Sequence, residues 1–177
     1  MILAFDTATT FGAAVATGDG RRAREDRAGD VLRAVDRLID DPAEIESIVV
    51  GRGPGSFTSI RIGLAVARSL ASTLGVPVAG ASTLDAFAEG TPVLDAPRGE
   101  VFAPRPSVCA PEELDVRGKL LVGDGATRYR ELFERAGATI PPDGDPVHLP
   151  DAFLLIAHAR ESIEPLYVRD PDAKVQA

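Results

Sequence analysis

Asp6 closes a short apolar run, Ile2 to Phe5, and is followed by Thr7-Ala8-Thr9-Thr10 before a second apolar run, Gly12 to Ala16. A carboxylate at a strand end beside a hydroxyl-rich turn is how several ATPases hold phosphate. The acid sits by the metal or attacking water, while backbone N–H groups and hydroxyls face the phosphate oxygens. Asp6, Thr9 and Thr10 are therefore candidate phosphate-turn residues. Close approach of a backbone to phosphate favours glycine, and the middle of this turn is Ala8. A polar hairpin turn, with Asp6 and Thr7 bonding the local backbone, accounts for the same residues at least as well.

Other chemistries find fewer residues. The loop Gly51-Arg52-Gly53-Pro54-Gly55-Ser56-Phe57-Thr58 has no Lys-Ser or Lys-Thr after its glycines, so it is no Walker loop. Ser56 lacks a nucleophile-elbow context and a nearby His, which leaves a peptidase reading without support. His148 and His158 stand ten residues apart, outside any zinc-binding spacing, so no metal or other cofactor is expected. Gly123-Asp124-Gly125 could bring backbone N–H groups to an anion, but Asp124 opposes a phosphate there, and a tight strand-to-helix turn explains it better.

The elements that position these residues follow from hydrophobic period. Residues 2–5 and 12–16 read as a hairpin, and the charged segment Arg21 to Arg27 as a third, exposed edge strand. Val31, Leu32, Val35, Leu38 and Ile39 recur at helical spacing between Gly29 and Asp41, ahead of Pro42. Ile48-Val49-Val50 is a buried strand leading into the Gly-rich loop, whose Ser56 or Thr58 is placed to cap a helix running to Leu74. On that helix Ile60, Gly63, Leu64, Ala67, Leu70, Ala71 and Leu74 make one core stripe. Ile62 and Val66, with Ala65, Ser69 and Thr73, make a second, and the strip through Arg61, Arg68 and Ser72 is polar. Two apolar stripes require two neighbours, either both in this chain or one in another subunit.

Pro77 to Ala79 reads as a strand, and Ser82-Thr83-Leu84-Asp85 as a capping box opening a helix through Glu89. After Thr91-Pro92 a shorter copy of the order begins. Val93-Leu94 pairs with Val101-Phe102 across the turn 95–100, Leu120 to Val122 is a strand, and a helix covers Ala126 to Ala136. Asp151 to Arg160 is a last helix and Leu166-Tyr167-Val168 a last strand. Pro104-Arg105-Pro106 is read as irregular.

A chain of 177 residues, 45% of them apolar, buries roughly 70% of its unfolded surface and needs no staple to fold. The single Cys109 allows no intrachain disulfide and suits a reducing compartment. With 19 basic and 27 acidic residues the net charge is −8, which argues against independent gripping of tRNA or DNA. No run of about 18 uncharged apolar residues is present, and an acid follows the first five residues, so the expected location is the cytoplasm, with no membrane contact.

The run Gly51-Arg52-Gly53-Pro54-Gly55-Ser56-Phe57-Thr58-Ser59-Ile60-Arg61-Ile62-Gly63-Leu64-Ala65 closely resembles the signature of the TsaB family, the bacterial partner subunit in threonylcarbamoyladenosine modification of tRNA. Ile2 to Thr9, Asp95 to Phe102, Pro165-Leu166-Tyr167-Val168-Arg169 and Pro171-Asp172-Ala173 fit in order. The resemblance implies an α/β fold of two related lobes from the acetate kinase, sugar kinase and actin superfamily (ASKHA), here residues 1–90 and an abbreviated second lobe, 91–177.

It also implies a non-catalytic partner of TsaD, the paralogue that transfers threonylcarbamoyl to adenosine beside the anticodon, with the ATPase TsaE joining the complex and tRNA met only indirectly. The family's first two helices pack on their TsaD counterparts, which makes Leu32, Val35, Ile39, Arg61, Ile62, Ala65, Val66, Ser69 and Thr73 the candidate interface. An exposed stripe of this kind favours a homodimer when TsaD is absent. The competing class is a small ATPase or phosphotransferase using Asp6, Thr9 and Thr10. Two departures stand out: Ser59 occupies the family's usual Gly position, and Pro104 to Pro111 replaces second-lobe strand and loop material.

Overall fold

The computed structural model describes residues 1–168. Its first half is a five-stranded sheet ordered β3-β2-β1-β4-β5, built from β1 (Ile2–Asp6), β2 (Ala13–Thr17), β3 (Arg22–Glu25), β4 (Ser47–Gly51) and β5 (Val78–Ala81). The hairpin strands β1, β2 and β3 pair antiparallel, whereas β4 and β5 add in parallel after helical crossovers, α1 (Val31–Asp36) and α2 (Phe57–Leu74).

The period of two along β1 divides the core. Leu3 and Phe5 join Val15, Ile48 and Val50 beneath α1 and α2, where Ile60, Leu64 and Ala67 complete the cluster. Ala4, with Ala14, Ala16 and Val49, faces the other way, against Ala86, Ala152 and Leu155. Alanines suit that second face because its cover is thin: one 3-10 turn at Thr83–Ala86 and α5 (Ala152–Leu155). The segment around α5 thus returns from the second half of the chain to pack on the first sheet.

The second half is small. β7 (Leu94–Ala96), β8 (Glu100–Ala103) and β9 (Ser107–Cys109) form an antiparallel sheet, and β6 (Thr91–Pro92) pairs in parallel with β10 (Leu121–Val122). Val93, Val101, Leu121, Ala126 and Phe133 are buried together beneath α3 (Asp124–Arg128) and α4 (Arg130–Arg135).

Several elements differ from the sequence expectation. The first helix spans 31–36, far less than Gly29 to Asp41, because Asp36, Asp40 and Asp41 crowd the end where the helix dipole is negative and the turn tightens at Leu38. The segment after Ser82 stops at Ala86, whose carbonyl accepts the N–H of Asp151 and whose neighbour Phe87 is extended. The 126–136 helix is broken at Tyr129 (φ −106°, ψ 26°). The 151–160 helix tightens into a 3-10 turn after Leu155, and Arg160 bridges to Gly80. Pro104-Arg105-Pro106, read as irregular from its prolines, is the tip of a hairpin pairing Ala103 with Ser107. Leu166 donates its N–H to the Arg52 carbonyl at 2.7 Å, but residues 166–168 form no strand. Arg169 and Pro171-Asp172-Ala173 lie outside the described residues.

Candidate functional site

Asp6 ends β1 with no exposed surface, and both of its oxygens are occupied by the protein itself. Oδ1 accepts the Ala8 N–H at 2.8 Å and Oδ2 accepts the Thr83 hydroxyl at 2.6 Å. Thr83 Oγ1 in turn accepts the N–H of Gly53 at 3.2 Å, so the carboxylate joins β1, the Gly-rich loop and the 83–86 turn. The loop's glycine content follows from this crowding. A Cβ on Gly51 would fall within the van der Waals envelope of the Asp6 carboxylate, and one on Gly63 would lie 2.5 Å from Thr7 Oγ1. Thr7 uses its hydroxyl to reach the Ser59 carbonyl at 2.7 Å, which seats the start of α2 on the hairpin turn. Ser56 caps that helix by accepting the Ser59 N–H, and Gly75, at φ 68°, ends it.

Burial pushes the Asp6 carboxyl above its ordinary range, against the hydrogen bonds from Thr83 and Ala8 that pull it down. An acid held this way is a structural joint. Each oxygen is bonded to the protein, and the residue has no exposed surface. Among the described residues no cluster of three or more His, Cys, Asp or Glu is close enough to hold a metal ion. His148, 1% exposed, spends one ring nitrogen on the Gly123 N–H at 3.2 Å and the other on the Pro141 carbonyl at 3.0 Å.

The other two turn candidates border a cleft of about 370 Å³ between the hairpin turn, the start of α2 and the 95–99 turn. Thr9 is 4% exposed and its hydroxyl finds no partner. Thr10 donates both its N–H (3.0 Å) and its hydroxyl (2.8 Å) to Asp124 Oδ2. Asp124 Oδ1 accepts the N–H of Asp95 at 2.9 Å, and Asp95 itself is gripped by Arg128 at 2.6 Å. The hairpin turn thus brings Asp6, Thr9 and Thr10 together in sequence, but Asp6 is buried against Thr83 while Thr10 reaches across to Asp124 at the start of α3. Thr83 and Asp124, the residues that complete these two arrangements, carried no local signal for the contact. Their partners are 77 and 114 residues away, and only the Gly-Asp-Gly turn after a strand hinted at Asp124.

The expected interface residues divide by exposure. Val35 (8% exposed) and Ile39 (6%) are packed in the chain's own core, because α1 lies flat across β2 and β3 and turns that side inward. Leu32, half exposed, stands on the opposite side of α1. On α2 the core consumes Ile60, Gly63, Leu64, Ala67 and Ala71, leaving Arg61, Ala65, Ser69 and Thr73 exposed and Ile62 and Val66 half-buried. Arg61 lies over the Phe57 ring at 4.5 Å, and Phe57 stacks on Tyr167 at 5.0 Å. Phe57 of this pair lines the cleft beside the first turn of α2.

A family model described as TsaD, tRNA N6-adenosine threonylcarbamoyltransferase, matches residues 23–109. An uncharacterized protein of Mycobacterium tuberculosis is 34% identical over 172 residues, covering 89% of this chain and 80% of that protein. The tRNA threonylcarbamoyladenosine biosynthesis protein TsaB of Bacillus subtilis is 36% identical over 83 residues, 40% of this chain and 36% of its own length. The chain spans 40% of a Mycobacterium leprae protein that it matches at 35% identity. Among solved structures, YeaZ from Pseudomonas aeruginosa superposes with a TM-score of 0.75 at 25% identity, over 94% of this chain and 99% of that one. The matches to TsaB proteins, the full-length likeness to YeaZ and the Gly51-to-Ala65 signature seated on the Asp6 joint agree: the chain belongs to the TsaB family.

Proposed function

We propose that the chain is a non-catalytic scaffold and activator subunit that binds a TsaD-type enzyme in threonylcarbamoyladenosine modification of tRNA next to the anticodon. The observation that carries this reading is the second stripe of α2. Ile62, Ala65, Ser69 and Thr73 form a row of apolar and small side chains that the chain's own core does not consume, beside Val66, which is half-buried at the edge of that core. Small residues allow a partner helix to approach closely, and a row that is apolar without being buried favours association. Leu32 on α1 is a second exposed apolar side chain, and Arg61 on the first turns of α2 supplies a charge beside the row.

The internal use of Asp6 supports the non-catalytic half of the reading. An ATPase or phosphotransferase would need that carboxylate facing a substrate, and here both oxygens are bonded within the fold. The net charge of −8 fits a subunit that serves tRNA chemistry through its partner, with a TsaE-type ATPase as a further member of the assembly and a homodimer as its resting form. Cytoplasmic location follows from that role.

The test is titration calorimetry of the chain against the TsaD-type enzyme from the same organism, paired with a reconstituted tRNA modification assay. Association, and a modification rate that depends on this chain, are expected. If no complex forms and the rate is the same without the chain, the reading is wrong.

A further inference from the structure

We infer that the Asp124 carboxylate is a built-in anion that fills the position a phosphate would take between the lobes and latches them together. The two oxygens of Asp124 face opposite halves of the molecule. Oδ2 takes the N–H and the hydroxyl of Thr10, from the hairpin turn of the first lobe, and Oδ1 takes the N–H of Asp95 on β7 of the second. The Gly125 N–H, shared with the Val93 carbonyl, also reaches Oδ1 at 3.0 Å. The residue is only 7% exposed.

Donors from both halves of the chain converge on one anion, and phosphate and carboxylate oxygens recruit the same N–H and O–H donors. Here the anion is covalently part of α3. A phosphoanion entering the adjoining cleft, past Ser56, Thr58 and Arg98, would find the Thr10 and Asp95 donors already engaged and a negative charge among them. The latch has two consequences. The cleft is closed to phosphate compounds in the wild-type chain, and the lobes keep one separation without a bound ligand. Neither consequence depends on the partner proposed above.

The latch is tested on the full chain by amide hydrogen exchange and by calorimetry with inorganic pyrophosphate. In the wild type, the Thr10 and Asp95 amides should both be protected, with Thr10 the one released when the lobes part because Asp95 and Asp124 lie in the same half of the chain, and pyrophosphate should give no heat at millimolar concentration. Asp124→Ala should speed exchange at both amides by at least ~10-fold and should acquire pyrophosphate binding at least ~10-fold tighter than wild type, with protection restored on binding. Asp124→Asn keeps the shape of the turn but offers only one acceptor oxygen. It should deprotect one of the two amides more than the other. Unprotected Thr10 and Asp95 amides in the wild type would overturn the latch, whether or not either variant folds. Unchanged exchange in Asp124→Asn, pyrophosphate binding by wild type equal to that of Asp124→Ala, or a folded Asp124→Ala that binds none would do the same.

Discussion

Replacing Asp6 separates a structural joint from a reactive carboxylate, and the two available substitutions have different expected costs. Asp6→Ala removes the acceptor for the Ala8 N–H and for the Thr83 hydroxyl, both in a site without solvent. Two buried donors left unpaired cost about 1–3 kcal/mol each, partly offset by release of a buried charge. A net loss of about 2–4 kcal/mol is expected. Asp6→Asn keeps the oxygen facing Ala8 and turns an amide toward Thr83 Oγ1, which already accepts from Gly53. That hydroxyl can accept twice but then loses its own acceptor, so about 1 kcal/mol is the expected cost at neutral pH.

The pH dependence carries the sign. Burial raises the Asp6 carboxyl above 3.8, so the folded state holds its proton more tightly than the unfolded chain does. Its contribution to stability is therefore fully present below that unfolded value and is lost as pH rises through the elevated folded one. Urea unfolding between pH 4 and pH 7 measures this directly. The Asn variant should fall further behind wild type at pH 4 than at pH 7. If Asp6→Asn were as damaging as Asp6→Ala at pH 7, the ionised carboxylate would be contributing as a charge, and the joint described here would be wrong.

Gly63→Ala places its Cβ 2.5 Å from Thr7 Oγ1 and should cost about 1–3 kcal/mol, seen as a melting temperature lower by roughly 2–4 °C per kcal/mol, unless α2 shifts freely on the hairpin turn. Leu155→Ala empties the thin cover over the alanine face and should cost about 2–5 kcal/mol in denaturant unfolding; a loss below 1 kcal/mol would mean that α5 is not part of the first sheet's core. Val66→Asp, on the half-buried stripe, should lower the affinity for a TsaD-type enzyme by at least ~10-fold, because the complex would bury an unpaired charge. Equal affinity of the variant and the wild type would take that stripe out of the interface.

The parts of the fold that were legible in the sequence are those fixed by short-range pattern. β1 and β4 read as apolar runs, and α2 emerged almost whole because Ser56 caps it, Gly75 stops it and its core stripe keeps a 3.6 period between them. The failures share a cause: long-range contacts override local preference. Thr83 sits in a sequence that reads as a helix start, yet its hydroxyl bonds Asp6, and the Ala86 carbonyl bonds Asp151, so the helix is one turn long. Val35 and Ile39 have the same helical spacing as an interface stripe, and only the tilt of α1 across β2 and β3 makes them core. Of the candidate site, the turn was legible but its wiring was not. Asp6 and Thr10 were identified by chemistry, while their partners Thr83 and Asp124 lie 77 and 114 residues away, in a capping box and a strand-to-helix turn whose local pattern says nothing of the contact.

The central claim is that the outward face of α2 is a binding surface for a TsaD-type enzyme. The most direct measurement is the dissociation constant of that pair by calorimetry, for wild type and for Ile62→Asp, with the fold of the variant checked by its unfolding curve. A half-buried surface position should leave folding stability within about 1 kcal/mol of wild type, while the affinity for the enzyme falls by ~10-fold or more. A variant that folds like wild type and binds the enzyme equally well would contradict the claim.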